Sequence, residues 1–314
     1  MRATFMTSSR WKLGTQVLGA VFLIVLLERL PLPRDTLLWR TLFDAGHAPL
    51  FGLFALLVLA FLRGARPADA GARPYAIAFV AASAAGVLTE LYQYFGPRDA
   101  SLLDALRDAA GAASFLLVAL SRRRIRRNFR RLAAGTAIAL LSLVLVPSFQ
   151  VILAYGRRAS DFPVLCRFDS GWERHFLVSR LASFRFAAAP YRWEESPSAT
   201  VGRIGFSGWR FPSLTLLEVE ENWSGHETLA FEAFVMEPVD LTVRLEELGH
   251  RPRPDDRFDF TARLVEGHNS VRIPLASLHS VDGRPLATTR MCHITWFLAD
   301  PSPTVVYIDD LRLR

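Results

Sequence analysis

Two stretches of this chain set ionisable side chains at helical spacing against long apolar runs. In "FDAGHAPLFGLFALL", Asp44 and His47 stand three residues apart. In "TELYQYFGPRDASLLDALRDAAG", Glu90 and Gln93 are three apart, Arg98 follows in a Gly-Pro turn, and Asp104 and Asp108 are four apart. Such spacings put each pair on one helical face. An imidazole with a neighbouring carboxylate can serve as an oriented general base, with His47 helped by Asp44 or Glu90. A guanidinium such as Arg98 can hold a phosphate or carboxylate. The same groups can instead pair into a polar lock between helices, so binding, catalysis and structure all stay open. Zinc is not expected here, because His47 is the only histidine of this half and no cysteine accompanies it.

The elements that carry these groups read as membrane helices. Glu90 follows sixteen uncharged residues, and Asp108 precedes thirteen more. Five apolar segments can be marked, at about 13–30, 47–63, 74–95, 105–121 and 132–156. The last holds twenty-five residues without a charge, enough to span a bilayer. The first lacks a small-residue cleavage site after it and reads as an uncleaved span. With the N-terminus inside, thirteen Arg and Lys fall on the cytoplasmic side and five on the other, seven of the thirteen in "SRRRIRRNFRR". That bias places the C-terminal half outside the cytoplasm. It also reads the net charge of +7 as topology anchors and lipid contacts, and excludes nucleic acid as a partner. All the unusual polar residues then collect at one membrane surface.

The two quoted stretches resemble the VanZ-like family of small membrane proteins. That family shows Asp-x-x-His opening one span and Glu-x-x-Gln closing the next, then a Pro-x-Arg turn, an Asp, and Asn-x-x-Gly. Asp44, His47, Glu90, Gln93, Arg98 and Asp104 match this pattern, while Asp108 stands where the family usually has Asn. The match covers about residues 13–121. It implies a bacterial inner-membrane, cell-envelope setting related to glycopeptide resistance, and no particular reaction.

From about residue 160 the character changes. Alternating runs at 214–220, 228–235, 239–248, 257–264, 269–275, 292–298 and 304–314 are separated by turns such as "NWSGHE" and "VDGRP". Strands at this spacing predict an all-β jelly-roll sandwich. "DDRFDFTARLVEGHNSVRIPLASL" and the closing "VYIDDLRLR" resemble carbohydrate-binding modules and galactose-binding-like domains. The resemblance implies a structural calcium, for which Asp309 and Asp169 are the matching residues, hard oxygen ligands of the kind calcium takes. Sugar binding asks for an exposed aromatic face, and Trp223 in its polar turn is the expected one, with Trp296 in the core. Cys166 and Cys292 are the only cysteines, both in the outer half, and are expected to pair as a disulfide.

The sequence therefore predicts a multi-domain chain. A four-span VanZ-like domain occupies 1–131, a fifth helix and linker 132–158, and an extracytoplasmic jelly roll 159–314. The expected role is to bind or sense an envelope glycan or lipid-linked glycan. The alternatives are a membrane enzyme acting on a lipid-linked phosphoryl or glycosyl substrate, and a structural assembly factor.

Overall fold

A computed structural model describes residues 36–65, 71–95, 101–123, 126–193, 198–249, 257–300 and 302–314, with 14–15 and 18–19. The chain divides into two compact units, Met1–Gln150 and Val151–Arg314.

The first unit is helical: α1 (Leu37–Ala65), α2 (Arg73–Tyr94), α3 (Leu102–Ser121) and α4 (Arg127–Asp161), the last continuing into the second unit. Local sequence sets the ends. Pro74 sits in the first turn of α2, where its missing N–H costs nothing. Ser101 caps α3 by accepting from the Asp104 amide at 3.3 Å. Phe51, Phe54, Ala55 and Leu59 of α1 pack on Tyr75, Ala78 and Ala82 of α2 and on Ala112 and Leu116 of α3. Small residues let the backbones approach closely. A Cβ on Gly111 would stand 2.1 Å from the Ala48 carbonyl oxygen, so α1 and α3 touch through that glycine.

Leu53, Val80, Leu88, Leu103 and Leu143 point outward, each more than half exposed. Such a surface suits hydrocarbon rather than water. Among the described residues, three helices are long and apolar enough to cross a membrane: Leu37–Gly64, Arg73–Tyr94 and Arg127–Asp161. The expected count of five spans is therefore not confirmed among the described residues. Asp104, Arg107 and Asp108 make the twenty-residue α3 too polar by composition, and most of the 13–30 segment lies outside the described residues. Helix α1 also begins ten residues before the apolar run at 47–63, so Asp44 and His47 lie two turns inside it rather than at its start.

The second unit is an antiparallel β-sandwich. Its strands are β1 (Val164–Cys166), β2 (Leu177–Arg180), β3 (Ala182–Ala188), β4 (Thr200–Phe206), β5 (Ser213–Leu217), β6 (Thr228–Val235), β7 (Val239–Glu247), β8 (Phe258–Leu264), β9 (Gly267–Pro274), β10 (Met291–Phe297) and β11 (Thr304–Leu313). One sheet runs β3-β4-β11-β6-β9 with β1 added to β11, and the other runs β2-β5-β10-β7-β8. Alternating residues fill the space between them, as in β5, where Leu214 and Leu216 are buried and Ser213, Thr215 and Leu217 are not. Trp296 of β10 meets Phe231 of β6 edge-on at 6.1 Å, bridging the two sheets. The last turns of α4 belong to this unit. Arg158 lies 3.4 Å over the Phe176 ring and donates to the Leu217 and Glu218 carbonyls at 2.8 and 2.5 Å.

Two expectations for this unit are corrected. Cys166 and Cys292 are both free thiols. Cys166 is on β1, in the sheet of β11, whereas Cys292 is on β10, in the opposite sheet. The two strands are not neighbours in either sheet. Burial pushes the Cys292 thiol up to about 12 and raises that of Cys166 as well, so neither is a ready thiolate. Trp223 is fully buried, not exposed. Its indole N–H donates to the Glu220 carbonyl at 2.6 Å and its amide to the Thr288 carbonyl at 2.7 Å, which folds the polar turn back onto the sandwich.

Candidate functional site

The ionisable residues of α1, α2 and α3 meet in one place. His47, from the middle of α1, points at Asp108 of α3, with Nδ1 2.9 Å from Oδ1. Asp108 has no exposed surface. Two glycines make room for it. Gly111, a turn further along α3, brings Ala48 close, and a Cβ on Gly86 of α2 would stand 2.7 Å from Asp108 Oδ2. The carboxylate where the resemblance leads one to expect an amide is thus a built part of the seam, and it fixes the orientation of the imidazole.

Glu90, on α2 one turn beyond Gly86, completes a triad. Ligand atoms of His47, Glu90 and Asp108 all lie within 4.8 Å of one another. Glu90 is only 7% exposed. Its Oε2 accepts the Ser101 amide at 2.6 Å, tying the end of α2 to the start of α3. Gln93, three residues on, is equally buried.

Beside the triad lies a second group. Arg107 of α3 sets Nη1 3.0 Å from Asp44 of α1 and also pairs with Asp104, one turn back on its own helix. Arg107 is therefore the cation that joins Asp44 to Asp104, and it has no place in the VanZ-like pattern. Its signal in the sequence is the Asp104–Arg107 spacing of three. Arg98 lies outside the described residues. Among those described, four carboxylates thus gather around one guanidinium and one imidazole. The site is rich in hydrogen-bond acceptors and suited to polyhydroxyl donors or to cations.

In the sandwich the residues expected to hold calcium are engaged separately. Asp309 is fully buried and accepts from Ser198 Oγ at 2.8 Å and from the Asp310 amide at 2.9 Å. Burial raises its pKa to about 6. Asp169 is exposed and accepts from Ser170 Oγ. A buried acid near the start of the domain is Glu173, which takes three backbone amides, from Arg167, Asp169 and Ser170. Among the described residues, the one group of three or more metal-type ligands is His47, Glu90 and Asp108.

The outer face of the β2-β5-β10-β7-β8 sheet carries a hydroxyl-rich strip. Thr215 pairs with Thr295 at 2.9 Å and Thr242 with Thr261 at 3.2 Å. Arg244 grips Asp259 through two 2.7 Å bonds. The exposed tryptophan of the unit is Trp209, 70% exposed on the loop between β4 and β5 beside the half-exposed Phe211.

No family model matches the chain, and no curated protein matches it. Among solved structures it is similar to a Family 11 carbohydrate-binding module from Clostridium thermocellum in complex with a beta-1,3-1,4-mixed-linked tetrasaccharide. That likeness has 12% identity, covers 48% of this chain and 93% of the module, and has a TM-score of 0.40. A Family 30 carbohydrate-binding module of a Clostridium thermocellum cellulosomal cellulase is similar at 13% identity, 48% and 91% coverage and a TM-score of 0.33. An exo-beta-agarase is similar at 11% identity and a TM-score of 0.39, over 48% of this chain and a quarter (25%) of the enzyme. At these identities and scores none of them assigns a ligand to this chain.

Proposed function

We propose that this chain is a multi-pass cell-envelope membrane protein that binds the sugar headgroup of a glycolipid or lipid-linked glycan. The seat of binding is the polar cluster of α1–α3. The observation that carries the reading is the gathering of Asp44, His47, Glu90, Asp104, Arg107 and Asp108 in an apolar helix bundle. Ionised groups at membrane depth are costly and mark ligand or ion sites. Sugar hydroxyls are donors that carboxylates accept, and Arg107 can take ring or linkage oxygens. The sandwich offers the threonine strip and Trp209 as a second glycan-facing surface.

A second reading is favoured by the His47–Asp108 bond, since a fully buried aspartate holding one imidazole nitrogen leaves the other to act as a general base. In that reading the cluster activates water or a hydroxyl toward a lipid-linked phosphoryl or glycosyl group.

The test is a titration of the full chain in nanodiscs with a polyprenyl diphosphate-linked disaccharide, against the polyprenyl alcohol alone. Saturable binding of the glycan lipid, weakened at least tenfold by Arg107→Ala and Asp44→Asn, is expected. Equal binding of both lipids would refute the headgroup reading. Release of free disaccharide during the titration would establish the enzymatic one.

A further inference from the structure

The two carboxylate oxygens of Glu90 differ. Oε2 is bonded to the Ser101 amide, but Oε1 is buried and has no hydrogen-bond partner among the described residues. The residue is more than nine-tenths buried. An unsatisfied carboxylate oxygen in such a place costs several kcal/mol, roughly, unless something reaches it. The groups nearest in chemistry are the two already described, an imidazole nitrogen and the carboxylate of Asp108, with ligand atoms all within 4.8 Å of its own.

We infer that His47, Glu90 and Asp108 form a binding site for one divalent first-row transition-metal cation. The inference rests on reading the cluster as a ligand site and supplies what that site lacks. Its donors are one nitrogen and two carboxylate oxygens, from three different helices. Imidazole suits iron and nickel, and carboxylates suit manganese and magnesium, so the mixed set falls to the Mn²⁺–Ni²⁺ group, the single histidine disfavouring zinc. The three donor atoms all lie within 4.8 Å of one another, so side-chain rotations can close them about one ion.

The Asp44–Arg107–Asp104 group beside the triad is paired within itself. Only three positions are taken by the protein, which leaves the rest for water or for vicinal hydroxyls of a bound sugar. Binding replaces the His47–Asp108 hydrogen bond, and any proton on Nδ1 leaves with it.

The experiment uses the full chain in nanodiscs, stripped with EDTA and titrated with Mn²⁺ alone, with free ion read by electron paramagnetic resonance. One Mn²⁺ per chain is expected. Glu90→Gln, which keeps the side-chain shape, and Asp108→Asn should each weaken binding about 100-fold or more, since losing a ligand costs at least as much as the roughly 10–100-fold lost with an outer-shell partner. Asp240→Asn on the sandwich surface should change nothing. Bound Mn²⁺ should show nitrogen modulation in its spin echo, and this should vanish in His47→Gln while folding is retained by circular dichroism. Absence of saturable binding by folded wild type would overturn the inference. So would full binding in both carboxylate variants, or an echo without nitrogen. If the EDTA-stripped chain still binds the glycan lipid while failing to take Mn²⁺, the metal inference falls and the headgroup reading stands. If Mn²⁺ binds and the glycan lipid does not, the reverse holds.

Discussion

Replacing Gly111 by alanine tests the seam that builds the cluster. The added methyl would lie 2.1 Å from the Ala48 carbonyl oxygen and 2.6 Å from its Cα, against ordinary contact at 3.4–4 Å. Both are backbone atoms of α1, so no rotamer change relieves the clash and the two helices must separate by roughly 1 Å. The His47–Asp108 bond spans the same seam at 2.9 Å. Opening it by that amount takes it past any hydrogen-bonding distance. Overpacking costs about 1–3 kcal/mol, and losing a bond to a buried carboxylate about 1.5–3 kcal/mol, so the total is about 2.5–6 kcal/mol. Gly135→Ala on α4 is the control, since nothing lies within 4 Å of its Cβ. There the gain in helix propensity should stabilise by up to about 1 kcal/mol. Denaturation of the purified chain in detergent, followed by circular dichroism, reads both. Wild-type stability in Gly111→Ala would refute the close packing and, with it, the geometry of the triad.

Arg107→Ala should destabilise the helical unit by about 2 kcal/mol, the buried-pair cost discounted for the partly exposed Asp44. Arg107→Lys should restore only part, because one ammonium cannot reproduce the fork between Asp44 and Asp104. Asp309 has a folded pKa of about 6, above its ordinary 3.8. The folded chain therefore holds that proton more tightly, and the resulting stability is present below about pH 4 and lost as pH rises through 6. Asp309→Asn should remove this slope, worth up to about 3 kcal/mol, from denaturation curves taken between pH 4 and 7; an unchanged slope would contradict it. Denatured without reductant, wild type should take two maleimides, at Cys166 and Cys292. Fewer than two would restore the disulfide.

The sequence made parts of this plain and hid others for physical reasons. Helical spacing aligned Asp44 with His47 and Asp104 with Asp108, and the cost of burying ionised groups among apolar helices favoured their facing one another. That His47 would choose Asp108 over Asp44 depended on the α1–α3 contact at Gly111, which no local pattern announces. Arg107 was legible as a partner of Asp104 but reads in the sequence as one more loop charge. Strands β5–β11 follow their alternating runs, with β6 at the expected 228–235. By contrast β2, β3 and β4 hide behind interspersed Arg, Ser and Gly, as in "TVGRIGF". Trp223 misleads because its neighbours are polar while its own ring and both N–H groups are turned inward. The cysteines mislead because both lie in one unit, yet Cys166 is on β1 and Cys292 on β10, which are in opposite sheets.

The most direct measurement is native mass spectrometry of the chain lifted from bacterial membrane into nanodiscs without detergent exchange. The account predicts one retained lipid per chain whose fragments include a sugar headgroup, lost in Asp44→Asn and Arg107→Ala but kept in Asp240→Asn. A chain carrying only ordinary phospholipid, or a glycan adduct indifferent to Asp44 and Arg107, would contradict it.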